Sequence, residues 1–208
     1  MTRIDHVLVA VTDLDRGAAQ LRRAHGLVAC AGGRHPKFGT ANLILPMGNQ
    51  YLELVAVEDR DLAAGNPFGR AVLSEAREGE LRPLAVCLEV DDLASVSSRL
   101  DLPVEPGLRI TEDGLPLSWR SVAMAQAFSA RRLPFFINWD DPDRHPGKGG
   151  EMTDLRPTGF QEVEIGGDPA AISDWLGEDV PALVLVGGGP GLGAVTIALA
   201  DGDVVTIR

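Results

Sequence analysis

The sequence predicts an α+β fold in which repeated βαβββ units form a curved, cavity-enclosing mixed β-sheet with helices outside. The main observation is an internal repeat. Residues 3–21 (RIDHVLVAVTDLDRGAAQL) and residues 82–100 (RPLAVCLEVDDLASVSSRL) can be laid over each other. Each segment is an apolar strand, an aspartate-led turn and an amphipathic helix, and strand-like segments follow each helix. Self-similarity of this kind indicates a fold assembled from repeated units.

The composition is typical of a soluble globular protein. The chain has 208 residues, 45% hydrophobic and 24% charged, which suits one large domain or two small ones. A formal net charge of −11 disfavours nucleic-acid binding, which requires clustered Lys and Arg. No apolar run has the length of a membrane span, and charged residues such as Arg3 and Asp5 interrupt the first stretch, where a signal peptide would lie. We therefore expect a cytoplasmic protein with neither a membrane nor a nucleic-acid partner.

The first unit is expected over residues 1–58. Its first strand is rich in β-branched residues, Asp13 is placed to cap the following helix, and His25-Gly26 ends that helix. Turn-rich segments separate the three strands that follow. The predicted elements are a strand at 4–11, a helix at 14–24 and strands at 27–32, 39–46 and 50–58.

The second unit is expected over residues 82–140, so that the pair occupies residues 1–140. A charged, glycine-containing connection with one short helix near 68–78 leads into it. The predicted elements are a strand at 84–90, a helix at 93–100 and strands at 104–111, 116–125 and 133–139.

Two further segments complete the chain. Residues 141–158 are polar and rich in Pro and Gly, which predicts a loop. Residues 159–208 predict a third, shorter βαβββ-like unit. Its apolar face needs a partner, either an edge of the pair or another subunit, so a homodimer is one expectation.

Strand alternation places His6 and Glu53 on one concave face of the sheet. A strand shows the same face at every second residue, so both side chains point away from the helix side. An imidazole nitrogen and a carboxylate oxygen on one face form half of a site for a divalent metal, which could be Zn, Fe, Mn, Co or Ni. The alternative is a core histidine hydrogen-bonded to a half-exposed glutamate.

Polar residues of the first unit give further candidates for ligand binding. His35 is expected in a Gly/Pro-marked turn at the mouth of the next strand. On that strand Thr40 and Asn42 share one face and offer donors and acceptors to a ligand. The alternative is a surface-loop histidine near two polar residues of an edge strand.

The second unit supplies aromatic and charged candidates. Trp119 and Arg120 point to opposite faces of their strand, so whichever enters the cavity adds an aromatic wall or a carboxylate clamp. Asn138 or Trp139 faces the pocket, in a register that the sequence leaves open. His145, in the acidic loop, could close over the pocket as a ligand or general base; the alternative is an ordinary loop histidine.

The glycine run at 187–193 (GGGPGLG) superficially suggests a nucleotide site. No Lys-Ser/Thr pair follows it, as a phosphate-binding loop requires. The next segment, AVTIALA, is a strand, whereas a dinucleotide fingerprint leads into a helix N-terminus. We therefore predict a hairpin loop and no nucleotide cofactor.

The paired βαβββ units with His6 and Glu53 resemble the vicinal oxygen chelate superfamily, and more specifically its glyoxalase-like domain family. The resemblance covers residues 3–147 and rests on five segments: IDHVLVAVTDLDRGAAQL, GRHPKFGTANLIL, QYLELVAV, EDGLPLSWR and LPFFINWDDPDRHP. The superfamily includes glyoxalase I, extradiol dioxygenases, epimerases and bleomycin- or fosfomycin-resistance proteins. The resemblance implies the fold more firmly than the substrate.

The resemblance also shows where this chain departs from the superfamily. Members typically take metal ligands from both units, but here Ala85 stands where the second unit would supply a histidine. His6 and Glu53 would need a third ligand from a loop, His35 or His145. The implied activity is that of a metal-assisted lyase, isomerase or dioxygenase acting on adjacent oxygens, with Glu53 or His145 moving the proton. The alternative is a metal-free protein that binds a small molecule.

Overall fold

The fold is built around a closed barrel of eight strands. The computed structural model describes residues 1–149 and 155–208. The barrel strands are β1 (Thr2–Ala10), β2 (Cys30–His35), β3 (Thr40–Pro46), β4 (Tyr51–Val57), β5 (Arg82–Val90), β6 (Glu105–Thr111), β7 (Pro116–Val122) and β8 (Phe135–Trp139). Their order around the barrel is β1-β4-β3-β2-β6-β7-β8-β5. This arrangement confirms the predicted α+β fold, a curved mixed sheet around a cavity with helices outside.

The two units are joined at both seams of the barrel. In each unit the first strand pairs in parallel with the last, β1 with β4 and β5 with β8. The units then meet where β1 pairs antiparallel with β5 and where β2 pairs antiparallel with β6. Side chains from both units therefore project into one interior.

Capping residues fix the starts of the first helix of each barrel unit as the sequence predicts. The helices are α1 (Leu14–His25), α2 (Arg60–Ala64), α3 (Pro67–Glu75), α4 (Leu93–Leu100), α5 (Met124–Ala127) and α6 (Pro169–Leu176). The carboxylates of Asp13 and Asp92 accept hydrogen bonds from the backbone N–H groups of Arg16 and Ser95. Gly26 ends α1 with φ 71°. The connection before β5 holds two helices, α2 and α3, where the sequence predicted one, because Asn66 caps a second start.

A β-bulge in β1 shapes the interior. Ile4 pairs with Leu88 and His6 pairs with Cys87, so Asp5 is the extra residue between two paired positions. A bulge interrupts the alternation of faces. Asp5 and His6, although adjacent, are both buried, with 0% and 4% of their surfaces exposed.

The C-terminal segment forms a second sheet. Its strands are β9 (Pro157–Gly166), β10 (Leu183–Val186), β11 (Gly191–Leu199) and β12 (Val204–Ile207), in the order β10-β9-β11-β12. With α6 after β9, the order of elements along the chain is βαβββ. The pairing differs from the barrel units, because β9 lies between the next two strands instead of beside the last one.

The second sheet and α6 pack on the barrel of the same chain. The indole N–H of Trp175 donates to the Pro134 carbonyl at 2.9 Å. The Arg99 guanidinium donates to the Trp175 and Leu176 carbonyls at the end of α6, at 2.6 and 3.1 Å. Gln50 bridges β1 and β9, donating to the Ile4 carbonyl and accepting from the Phe160 N–H. These contacts give the third unit a partner within its own chain.

The predicted loop at 141–158 is only partly described. It contains two 3₁₀ turns, Pro142–Arg144 and Pro146–Lys148, and β9 already begins at Pro157. Residues 150–154 lie outside the described residues. Across the described parts of the chain, no helix combines the length and the apolar character needed to cross a membrane.

We expect Trp175→Ala to lower the free energy of unfolding by about 3–5 kcal/mol, because it removes a buried indole from the junction between α6 and the barrel. Trp175→Phe is the matched control. It keeps most of the packing and loses the hydrogen bond to Pro134, so a loss of about 1 kcal/mol is expected. Urea unfolding measures both values, and equal losses in the two variants would contradict a packed junction.

Candidate functional site

A narrow cavity inside the barrel brings polar and aromatic side chains together. The volume open to the centres of water molecules is about 30 Å³, which corresponds to about two ordered waters. It therefore suits a small chemical group or the end of a larger ligand. The polar side chains that reach it are His6, His35, Asn42, Glu53 and Arg109. The aromatic lining includes Phe38, Phe68, Trp119, Phe128, Phe135 and Trp139.

Glu53 lies between two imidazoles. His6 Nε2 is 3.7 Å from Glu53 Oε2, and His35 Nε2 is 3.9 Å from Glu53 Oε1. The Asn42 amide donates to Glu53 Oε1 at 3.0 Å. Strands β1 to β4 therefore bring together four of the residues singled out in the sequence, and the carboxylate is buried but faces open space.

His6 is held in one orientation. Its Nδ1 lies 2.5 Å from Asp5 Oδ1, and its ring stacks on Tyr51 with centroids 4.5 Å apart. A carboxylate can only accept, so Nδ1 carries the proton of this hydrogen bond. In the neutral ring, Nε2 then presents its lone pair to the cavity and to Glu53. A histidine oriented in this way can bind a metal or exchange a proton.

Asp5 collects hydrogen bonds from three elements. Besides His6, its carboxylate accepts from Trp139 Nε1 and from His145 Nε2, each at 2.9 Å. Burial by itself raises the pKa of Asp5, but the hydrogen bonds from His145 and His6 outweigh it and hold the pKa well below its usual range. The sequence did not single out Asp5, because simple strand alternation places it on the face opposite His6.

His145 lies behind the cavity wall. Its Nδ1 accepts from the Gly147 N–H at 3.0 Å, so Nε2 carries the proton donated to Asp5. The ring packs edge-on against Tyr51 and Trp139. The predicted closure of His145 over the pocket is therefore not what the structure has. Its side chain is committed to Asp5 and supports His6 indirectly.

His35 is the last residue of β2, not part of an exposed turn, and it is buried. Its Nδ1 lies 3.0 Å from Thr40 Oγ1, and its Nε2 faces Asn42 Nδ2 at 3.5 Å. Burial, more than the repulsion from Arg109, lowers the pKa of His35 to about 4, although Glu53 acts in the opposite direction. The ring is therefore neutral near pH 7. Thr40 contributes by orienting this ring.

The alternation in β7 and β8 decides which of the remaining candidates enter the cavity. Trp119 and Trp139 both line it, with ring centroids 5.6 Å apart. Arg120 and Asn138 lie on the outer face, where Arg120 Nη2 donates to Asn138 Oδ1 at 3.1 Å and Arg120 Nε faces Asp140 at 3.4 Å. The structure therefore does not bring Arg120 or Asn138 to the cavity.

Arg109 on β6 is the polar lining residue that sequence reasoning missed. The residue is 6% exposed, its Nη1 lies 3.4 Å from Asn42 Oδ1, and its Nε has no hydrogen-bond partner in residues 1–149 and 155–208. Its neighbour Leu108 points outward and is 43% exposed. The strand thus inverts the usual pattern of apolar residues inside and charged residues outside. The turn at Asp113-Gly114 fixes how β6 pairs with β7. That pairing, together with the inverted pattern of Leu108 and Arg109, is the sequence signal that indicates an inward-facing Arg109.

The cavity contains side chains of the types that bind divalent metals, although the ligand atoms of His6, Glu53 and His35 do not all lie within 4.8 Å of one another. His6 Nε2, Glu53 and His35 Nε2 are two imidazole nitrogens and a carboxylate, and the far nitrogen of each ring is held by Asp5 or Thr40. Each imidazole nitrogen approaches a different oxygen of Glu53, His6 Nε2 at 3.7 Å and His35 Nε2 at 3.9 Å. In the described residues, the groups of three ligand atoms within 4.8 Å are Asp5-His6-Cys87 and Asp5-Glu89-His145. Both depend on Asp5, whose oxygens already accept hydrogen bonds.

Fold and site together define the class of protein. A barrel of two βαβββ units that encloses an inward-facing histidine and glutamate is the architecture of the vicinal oxygen chelate superfamily. The family model described as "Glyoxalase-like domain" matches residues 4–179. The chain belongs to this glyoxalase-like domain family, which confirms the resemblance found in the sequence.

Individual proteins similar to this chain share 30% or less of its sequence in the matches described next. The chain is 30% identical over 114 residues to an ethylmalonyl-CoA/methylmalonyl-CoA epimerase from Cereibacter sphaeroides, a match covering 55% of this chain and 78% of that protein. The crystal structure of a hypothetical protein from Staphylococcus aureus superposes with a TM-score of 0.71 and 17% identity, covering 100% of this chain and 99% of the other. That likeness extends to the second sheet and concerns the fold alone.

A second similar structure is a methylmalonyl-CoA epimerase from Streptomyces coelicolor in complex with 2-nitronate-propionyl-CoA. It is 18% identical, with a TM-score of 0.47, and covers 67% of this chain and 96% of that chain.

We expect Asp5→Asn to lower the free energy of unfolding at pH 7 by about 3 kcal/mol, because a neutral amide cannot accept from three buried donors as a carboxylate does. The folded pKa of Asp5 is depressed. Its stabilisation is therefore present above the unfolded pKa, about 4, and declines as the pH falls from there toward the folded value. Urea unfolding of both proteins at pH 7 and at pH 3 measures this difference.

Asp174→Asn, at an exposed position of α6, serves as the control and should leave the free energy of unfolding nearly unchanged. A difference between Asp5→Asn and wild type that is the same at both pH values would contradict the assigned role of the carboxylate.

Proposed function

We propose that this protein is a small-molecule isomerase that moves a proton at a carbon next to a carbonyl group. The observation that carries the proposal is the position of Glu53, a buried carboxylate that faces the cavity with an imidazole on either side. A carboxylate near an acidic C–H bond, with donors close by, is the arrangement that proton abstraction requires.

The comparison with the Cereibacter sphaeroides protein supports this reaction class. That relative is an ethylmalonyl-CoA/methylmalonyl-CoA epimerase, and epimerisation beside a carbonyl is a removal and return of one proton. The small volume of the cavity is consistent with holding only the reacting end of such a substrate.

In the proposed mechanism Glu53 accepts the proton from the substrate carbon. Asn42 Nδ2 fixes one carboxylate oxygen at 3.0 Å, which leaves the other oxygen directed at the cavity near His6. The lone pair of His6 Nε2, held in place by Asp5, can exchange a proton with the substrate only in protein without a metal, because a bound metal would occupy that lone pair. The aromatic lining excludes water and keeps the reacting carbon in place.

A divalent metal is part of the proposal. His6 and Glu53 would hold it, with His35 as the third ligand. When bound, such a metal acts as a Lewis acid that polarises the substrate carbonyl oxygen. Imidazole and carboxylate ligands suit Zn, Fe, Mn, Co or Ni in such a site.

We expect wild-type protein to exchange the α-proton of methylmalonyl-CoA or ethylmalonyl-CoA for deuterium in D₂O, followed by NMR. Glu53→Gln should slow this exchange at least about 100-fold, because the amide cannot accept the proton. Glu58→Gln is the matched control, since Glu58 follows the same strand but pairs with Arg34 outside the cavity.

Exchange by the Glu53→Gln variant at the wild-type rate would contradict the role of Glu53. Absence of exchange by wild-type protein, together with saturable binding of either compound, would favour the alternative function, that of a metal-free protein that sequesters a small molecule among the aromatic side chains.

We also expect protein purified without chelators from metal-supplemented medium to contain about one equivalent of a divalent metal, measured by elemental analysis. His6→Ala should remove it, because one of the three ligands is lost. His25→Ala, which changes a histidine at the end of α1 outside the cavity, should retain it. Equal metal content in the two variants would place the metal elsewhere.

A further inference from the structure

Arg109 is a buried cation that has no ionic partner among the described residues. Only 6% of the residue is exposed, and its Nε is buried with no hydrogen bond. Within the described ranges, the one side-chain hydrogen bond of Arg109 joins Nη1 to the neutral Asn42 Oδ1, at 3.4 Å. Among the residues that the structure describes, no carboxylate lies within 4.0 Å of the guanidinium. Burying a charge is costly unless it is paired, so this arrangement is incomplete without an anion.

The Arg109 side chain borders a space that can receive an anion. Arg109 lines the same cavity as Glu53 and the tryptophans. A guanidinium presents Nε and a neighbouring Nη as parallel donors, which match the two oxygens of a carboxylate. The cavity volume of about 30 Å³, which corresponds to about two ordered waters, is enough for one carboxylate group.

Asn42 sets the spacing between this cation and Glu53. Its Nδ2 donates to Glu53 Oε1 while its Oδ1 faces Arg109 Nη1. The two charged groups therefore lie on opposite sides of one amide and do not neutralise each other directly. A carboxylate bound at Arg109 would be separated from the Glu53 charge by the Asn42 amide.

We propose that Arg109 forms a carboxylate-binding subsite that makes the cavity selective for small organic acids or for acyl groups that carry a free carboxylate. The subsite adds a substrate class to the proposed function. The reaction of such a substrate rests on the proposed function, whereas the binding of a carboxylate at Arg109 does not. Arg109 is thus a specificity-determining residue.

The test uses NMR titration of the full chain at pH 7 and constant ionic strength, with the indole N–H signals of Trp119 and Trp139 as reporters. Propionate and propionamide are the probes, since they have nearly the same shape and differ in charge. Wild-type protein should bind propionate at least tenfold more tightly than propionamide. Arg109→Gln should weaken propionate binding at least tenfold, to the level of propionamide, and Arg109→Lys should weaken it by a smaller factor.

Arg120→Gln is the matched control, because Arg120 lies on the adjacent strand but on the outer face. It should bind both probes as wild type does. Equal affinity of wild-type protein for propionate and propionamide would overturn the proposal without the need for any variant, and so would unchanged propionate binding in Arg109→Gln.

Repeating the titration after dialysis against a chelator separates Arg109 from a metal as the binding group. Propionate binding that survives chelation but is lost in Arg109→Gln assigns the anion to Arg109. Loss on chelation with retention in Arg109→Gln assigns it to the metal and overturns the proposal. Glu53→Gln should keep propionate binding, so a failure of the proposed reaction is distinguishable from a failure of this subsite.

Discussion

The hydrogen bonds around the Asp5 carboxylate are the constraint on which the rest of the site depends. One buried carboxylate accepts from His6 on the same strand, from Trp139 on β8 and from His145 between two 3₁₀ turns. It therefore ties both barrel units and the following loop to one point. Because every bond is made in a buried setting, rotation of His6 would leave donors unsatisfied. The orientation of Nε2 toward Glu53 is a consequence of this network and not of His6 alone.

Local signals explain why much of the fold could be predicted. The Asp13 and Asp92 caps, the Gly26 stop and the β-branched strands act within a few residues, so the sequence reveals them directly. The repeat then orders these elements into two units. The strand order of the C-terminal sheet was not accessible in this way, because pairing of β9 with both β10 and β11 depends on contacts between distant segments.

The candidate site was predictable where strand alternation holds and missed where it fails. Strand alternation brings His6 and Glu53 to one face of the sheet. It also requires that either Trp119 or Arg120 faces inward, and in the closed barrel the inward residue is Trp119. The register shift between Ile4 and His6 interrupts the alternation at Asp5, and no residue type in the sequence predicts this shift. Arg109 occupies an inward position that is normally filled by an apolar side chain. Its hydropathy therefore predicts an exposed residue, and hydropathy alone does not indicate a place in the cavity.

The account makes one claim that can be tested at a single atom: in the neutral ring of His6 the proton is on Nδ1. Two-bond ¹⁵N–¹H NMR of histidine-labelled, chelator-treated protein at pH 8 reports the protonation of each ring nitrogen. We expect a protonated Nδ1 and an unprotonated Nε2 for His6, because Asp5 accepts from Nδ1. A proton fixed on Nε2, or averaging between both nitrogens, would contradict the arrangement on which the proposed chemistry depends.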